Sequence, residues 1–417
     1  MSTLGRQVGI DPDSAPLRGP DLDRFPRIGG GKPAPATRVH LDPGAVVPSA
    51  SPGAASGPEH VEVPTRYDAV LLSGFGGPEG QDDVIPFLRN VTRGRGIPDD
   101  RLEEVAHHYR HFGGVSPINQ HNRELRAALE ARLAQRGLPL PVLWGNRNWT
   151  PYLNDAVVQA FQCGLTRLLA IPTSAYSSYS SCRQYREDWA DALEDSGLAG
   201  IVTIDKVRPF FNHPGFVQPF VEGVRDAVAA AEADGLSRDQ LEVLFTTHSI
   251  PTADAALSGG GDAYAEQHRA VAEYVMAQAA PEVAWQLVYQ SRSGPPHQPW
   301  LEPDVNDAIQ AVRGRRGVIL VPLGFVSDHM EVMWDLDTEA VETAAEAGLW
   351  VRRTPTPGVH PAFVDALADL VAERVEGRPA DQRAAVTAPG PWYDVCRPGC
   401  CENKRLGFKP AIAGLAP

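Results

Sequence analysis

Residues 317–340 read GVILVPLGFVSDHMEVMWDLDTEA, and their character changes midway. GVILV is an unbroken, β-branched apolar run, the pattern of a strand buried on both faces. After Gly324 the apolar residues Met330, Val332, Met333, Trp334 and Leu336 return at helical intervals. A buried strand that leads directly into a helix is half of a parallel crossover unit. The helix also sets Asp328, Glu331, Asp335 and Glu339 three or four residues apart, with His329 beside them. Like charges at that spacing cost roughly 0.2–0.5 kcal/mol per pair when solvated. The dense apolar residues leave little of this helix to water, so its carboxylates need a counter-ion or a displaced pKa. A cation or proton route meets that need.

The same strand-then-helix alternation extends in both directions. Strand-like runs occur at YDAVLLSGF (67–75), PVLWGNR (141–147), RLLAIPTS (167–174) and GIVTIDKVRPF (200–210). A long helical stretch, 214–235, separates them from LEVLFTTHS (241–249), AWQLVYQSRS (284–293), the run at 317–325 and LWVRRTPT (349–356). This predicts an α/β fold with two Rossmann-like domains, each a four-stranded parallel sheet flanked by helices, over 66–235 and 236–360. An amphipathic helix within 361–385 closes the fold, packing back on the first half, and 386–417 forms a cysteine-containing segment. Residues 1–65 are rich in Pro, Gly, Ala and Ser and bury too little surface to offset ordering. They read as a flexible extension, and an initiator methionine placed too early explains them equally well.

The 417 residues carry a net charge of −14, which argues against a nucleic-acid surface and favours small molecules and small cations as partners. No apolar run of about 18 residues and no secretory leader is present, so the cytoplasm is the expected location. The five cysteines are Cys163, Cys182, Cys396, Cys400 and Cys401. The C-x3-C-C spacing matches no common zinc signature, while a tight group plus one distant cysteine suits the four thiolates of an iron–sulfur cluster. Spacing alone leaves incidental thiols as an equal alternative.

Open parallel sheets bind ligands outside the carboxyl ends of their strands. Those ends carry GFGGPEG (74–80), GNRNW (145–149), PTSAYSSYSS (172–181), THSIP (247–251), YQSRSGP (289–295) and GFVSDHME (324–331). GFGGPEG is not a phosphate loop, because Pro78 removes an amide where one is needed. A tight turn that admits a flat ligand suits it better, with Phe75 either facing that ligand or packed in the core. His248 emerges at a strand end, and imidazole is the side chain that takes a proton near neutrality. Glu331, one turn into its helix, supplies a carboxylate for a cation or a proton, and Asp335 and Glu339 extend it into a path.

Taken together, FTTHSIP (245–251), YQSRSGPPHQPWLEPDV (289–305) and VPLGFVSDHMEVMWDLDTE (321–339), with LLSGFGGPEG (71–80) and FGGVSPI (112–118), resemble the ordered motifs of the ferrochelatases over about 67–377. The resemblance implies a chelatase-like pair of domains around a porphyrin cleft, with His248 as the catalytic and iron-contacting histidine and Glu331 as its carboxylate. Asp335 and Glu339 fall on the family's acidic helix, part of it widened to π-helical pitch. Phe75 falls under the porphyrin, where relatives place various residues including Tyr or Met, and it offers no axial oxygen or sulfur. Arg93, Arg95 and Ser116 match positions that hold propionates. Some relatives carry a C-terminal 2Fe-2S cluster, which implies Cys396, Cys400 and Cys401 with Cys182 as fourth ligand, and leaves Cys163 as a core thiol. Similarity to the actinobacterial branch implies coproporphyrin III as substrate, with ferrous iron. The alternatives are a protoporphyrin IX ferrochelatase, a cobalt or nickel chelatase, or a non-catalytic haem or iron carrier or iron–sulfur sensor.

Overall fold

A computed structural model describes residues 60–94, 96–294, 297–388, 390–397, 399–402 and 409–414. Arg95 and residues 1–59 of the expected extension lie outside them. Eight parallel strands form, one on each apolar run: β1 Ala69–Gly74, β2 Val142–Asn146, β3 Arg167–Pro172, β4 Thr203–Lys206, β5 Leu241–His248, β6 Ala284–Gln290, β7 Gly317–Val321 and β8 Trp350–Arg353. They make two four-stranded sheets of the same design, ordered β2-β1-β3-β4 and β6-β5-β7-β8. β1, β2 and β7 are buried along their whole length, as expected of strands covered on both faces. Helices flank both sheets, and helix Pro214–Ala233 lies between the two halves in the chain.

The closing helix, Pro361–Glu376, packs on helices Ile118–Gln135 and Pro214–Ala233 of the earlier chain. Buried ion pairs fix it there: Arg374 reaches Asp205 of β4 at 3.1 Å and Tyr67 Oη at 2.8 Å, and Arg208 pairs with Glu373 at 2.9 Å. Removing one partner of such a pair strands a buried charge, at a cost of about 3–5 kcal/mol. Residues 60–65, assigned by composition to the flexible extension, are docked. Val61 is buried and donates its N–H to Asp394 at 2.8 Å, and the Thr65 N–H reaches the Val375 carbonyl at 3.2 Å. The apolar Val61 and the backbone bonds outweigh a local composition that lacks periodicity. No helix among the described residues is long and apolar enough to cross a membrane.

Candidate active site at the strand ends

β5 ends at His248, directly across from Gln290 at the end of β6. The His248 ring bonds through Nδ1 to the Ser249 carbonyl at 2.5 Å. A carbonyl only accepts, so Nδ1 carries a proton, which leaves Nε2 as the nitrogen that can accept one when the ring is neutral. That nitrogen lies 3.7 Å from Glu331 Oε2. Both side chains are partly open, 32% and 50% exposed, which leaves the pair accessible to a substrate. His329 stands edge-on to Phe325 at 4.9 Å, and burial holds its ring below the usual histidine pKa despite the nearby Glu331 charge.

The acidic stretch is divided by Arg353, the last residue of β8. Its guanidinium pairs with Asp328 at 3.0 Å and with Asp337 at 2.5 Å. Those two carboxylates are thereby structural. Glu331, Asp335 and Glu339 have other partners, and residues Asp335–Glu339 form a π-helical turn. The wider pitch resets the register of the face, and such turns concentrate at functional sites. Asp335 accepts hydrogen bonds from Ser291 Oγ and from Gln290 Nε2, the latter at 3.1 Å. Burial pushes its carboxyl up to about 7, opposed by the Ser291 bond and assisted by the charges of Glu331 and Glu339. Glu339 is exposed and accepts from Trp334 Nε1 at 2.9 Å.

At the ends of the first sheet the groups are apolar or amide. Gly76 takes a positive φ of 84°, and a Cβ there would meet Asn146 Cβ at 2.9 Å, so the turn lies flat against β2. Asn119 Nδ2 holds the Gly77 carbonyl at 3.1 Å. Phe75 projects from this turn, 37% exposed, with its ring edge-on to Phe87 at 6.3 Å. Phe87 meets Tyr109 at 5.8 Å, and Tyr109 lies close enough to Glu331 for that charge to add to burial in raising its phenol pKa. Ser116 is buried against Gly77, and Arg93 is exposed and donates to Asn90 Oδ1 at 2.7 Å. Helix Asp99–His111 touches the acidic helix directly: His108 stacks on Trp334 at 4.1 Å and 7°, with His107 and His111 edge-on. These aromatic contacts were not apparent from spacing, since nothing in the sequence pairs helix 99–111 with residue 334.

The ferrochelatase family profile matches residues 67–375, three-quarters of the chain and both sheets. The chain belongs to the ferrochelatase family. Among curated relatives it is 62% identical to the coproporphyrin III ferrochelatase of Leifsonia xyli subsp. xyli over 386 residues, covering 88% of this chain and 99% of that one. Identity is 55% to the coproporphyrin III ferrochelatase of Tropheryma whipplei strain Twist, covering 85% of this chain and 93% of the relative. It is 51% to that of Streptomyces griseus subsp. griseus, covering 84% and 97%.

Three cysteines of this ferrochelatase lie beyond the family match. The fold nevertheless gathers Cys396, Cys400 and Cys401 around Cys182, all buried, with Tyr393 and Trp392 packed against them. Cys182 hydrogen-bonds Cys396 and Cys401, Cys396 also bonds Cys400, and Cys400 Sγ lies 3.7 Å from Cys401 Sγ, closing a ring of sulfurs. Cys182 reaches that ring from a second π-helical turn, Tyr179–Arg183, which the sequence did not reveal. Bonds from Cys182 and Cys400 pull the Cys396 thiol well down and push their own thiols up, while bonds to Cys182 and Cys400 push Cys401 up. Lys206 and Arg186 supply the nearby positive charge. Cys163 stands apart, half-buried against the first sheet's outer core. Among the described residues no group of three or more His, Cys, Asp or Glu side chains already stands in a metal-holding arrangement.

Proposed function

We propose that this ferrochelatase inserts ferrous iron into coproporphyrin III, yielding Fe-coproporphyrin III for haem biosynthesis. The observation that carries the reading is the partly open His248 at the end of β5, with Nδ1 held by the Ser249 carbonyl and Nε2 3.7 Å from Glu331 Oε2. The names of the three relatives favour coproporphyrin III over protoporphyrin IX.

Insertion replaces both pyrrolic protons by Fe2+. The protein must therefore bend the ring to expose nitrogen lone pairs, strip water from the metal and remove the protons. His248 Nε2 accepts a pyrrolic proton, and the resulting imidazolium is stabilised by Glu331. Glu331 also contacts the iron, Asp335 takes protons onward, and Glu339 forms the outer end of the route. Phe75 supplies a flat apolar surface for the macrocycle, with no axial oxygen or sulfur donor. Arg93 presents an exposed cation to the propionates. Ser116 acts from beneath the turn, and Arg95 is assigned the same propionate role from the sequence resemblance alone.

The test is anaerobic incubation of the purified protein with Fe2+ and each porphyrin, followed by absorbance. Coproporphyrin III is expected to be metallated faster than protoporphyrin IX. The reverse preference, or faster loading of Co2+ or Ni2+, would reassign the substrate. Tight porphyrin binding without metallation would identify a carrier.

We infer further that Cys182, Cys396, Cys400 and Cys401 hold a 2Fe-2S cluster. The fit rests on the donor set: four buried soft ligands, two cations, and the Gly259 N–H directed at Cys401 Sγ at 3.1 Å. Arg186 Nη1 is buried without a hydrogen-bond partner among the described residues, a donor suited to an anionic cluster. A bound cluster would supply a structural or sensory redox group, because metal insertion changes no oxidation state. Purified protein should then contain iron and acid-labile sulfide and absorb in the visible, and Cys182→Ser should lose both. A colourless, iron-free protein would remove the assignment. We place the enzyme in the cytoplasm, whose reducing milieu keeps cysteines free to ligate metal.

A further inference from the structure

Ser291 is the first residue past β6, and its φ is +59°. Left-handed backbone is free for glycine and strained for any residue with a Cβ, and such strain persists only where the surroundings over-determine it. The Ser291 hydroxyl donates to Asp335 Oδ2. Its neighbour Gln290, only 1% exposed, places Nε2 between the same Oδ2 at 3.1 Å and the Glu331 carbonyl at 3.2 Å. The carbonyl and the ionised carboxylate can only accept, so the amide orientation is fixed. Gln290 Oε1 is then left buried with no partner among the described residues, beside the Asp335 carboxyl. It is an acceptor ready for the O–H of water.

We propose that Ser291, with Gln290, is a positioning residue for proton removal: its strained backbone carries the hydroxyl that aims Asp335 at Glu331 and His248. The strand register places this cradle beside the base, since Gln290 pairs with His248 and the Ser249 N–H bonds the Gln290 carbonyl at 2.8 Å. Turning the chain out of the sheet would be easier with glycine at this position. A serine there is accounted for by its bond to Asp335, and not by the turn.

The inference rests on the ferrous-insertion reading, and two substitutions separate hydroxyl from backbone. Ser291→Ala removes the hydroxyl and keeps the strain, whereas Ser291→Gly removes both. Both variants are expected to lose about tenfold in kcat with the KM for coproporphyrin III held within about a factor of two. Ser291→Gly should nevertheless melt at a higher temperature than Ser291→Ala, so that activity follows the hydroxyl and stability follows the backbone. Wild-type kcat in either variant, or recovery of kcat in Ser291→Gly alone, would overturn the role of the hydroxyl while leaving the insertion reading intact. Absence of turnover in the unsubstituted enzyme would overturn both.

Discussion

The two sheets share one strand order, yet their carboxyl ends carry different chemistry. At the first, Phe75, Gly76, Gly77, Asn119 and Asn146 build a flat, uncharged turn braced by amides. At the second, His248, Glu331 and Asp335 converge within a hydrogen-bonded and charged set. Topology thus locates both surfaces, and in the proposed reaction the side chains divide the work: the first half would grip a planar ring and the second would move protons and metal. Ring contacts run from Phe75 through Phe87 to Tyr109, whose phenol feels the charge of Glu331.

Substitutions in the second half should break rate, and those in the first should break binding or stability. His248→Ala has the largest expected effect, a loss of about 10²–10⁴ in kcat with porphyrin affinity nearly unchanged. Stopped-flow insertion and fluorescence quenching on the same sample measure the two separately, and a matching loss of affinity would erase the distinction. Glu331→Gln keeps the volume and removes the charge facing Nε2, and is expected to cost about 10–100-fold in kcat. For Asp335, folding raises the carboxyl from 3.8 to about 7, so its stabilising contribution is complete below pH ~4 and is lost as pH rises through 7. Asp335→Asn should consequently gain on the wild type with rising pH, by on the order of a few kcal/mol at pH 8 in urea titrations. A constant difference from pH 5 to 8 would contradict the raised value. In the first half, Gly76→Ala forces a Cβ into Asn146 and Trp149 at positive φ and should destabilise by about 1–3 kcal/mol. Phe75→Ala should raise the porphyrin KM by a few-fold, roughly the loss of one apolar face, and leave kcat alone.

Much of this division was legible in the sequence. Each strand falls within a run read from the sequence, most plainly β1, β2 and β7, where full burial on both faces leaves an uninterrupted apolar signal, while the edge strand β8 is only partly buried. The placing of His248 and Glu331 together, 3.7 Å apart, was legible for a related reason: titratable groups at the ends of such runs are conspicuous. What escaped were features fixed by backbone pitch and tertiary contact. The π-helical turn that carries Cys182 has no side-chain signature, and the left-handed Ser291 looks like any loop serine. Arg353 shows no sign in β8 that it would neutralise Asp328 and Asp337 and leave only part of the acidic stripe for function. The stacking of His108 on Trp334 likewise depends on how the two halves meet.

Proton release tests the central claim most directly. Coproporphyrin III bound to the enzyme in weakly buffered, anaerobic solution is mixed with Fe2+ while a pH indicator and the porphyrin spectrum are followed together. The account predicts release of both pyrrolic protons for each iron inserted, in step with the spectral change, and neither event in His248→Ala although the porphyrin remains bound. Iron uptake without proton release, or undiminished release from His248→Ala, would contradict it.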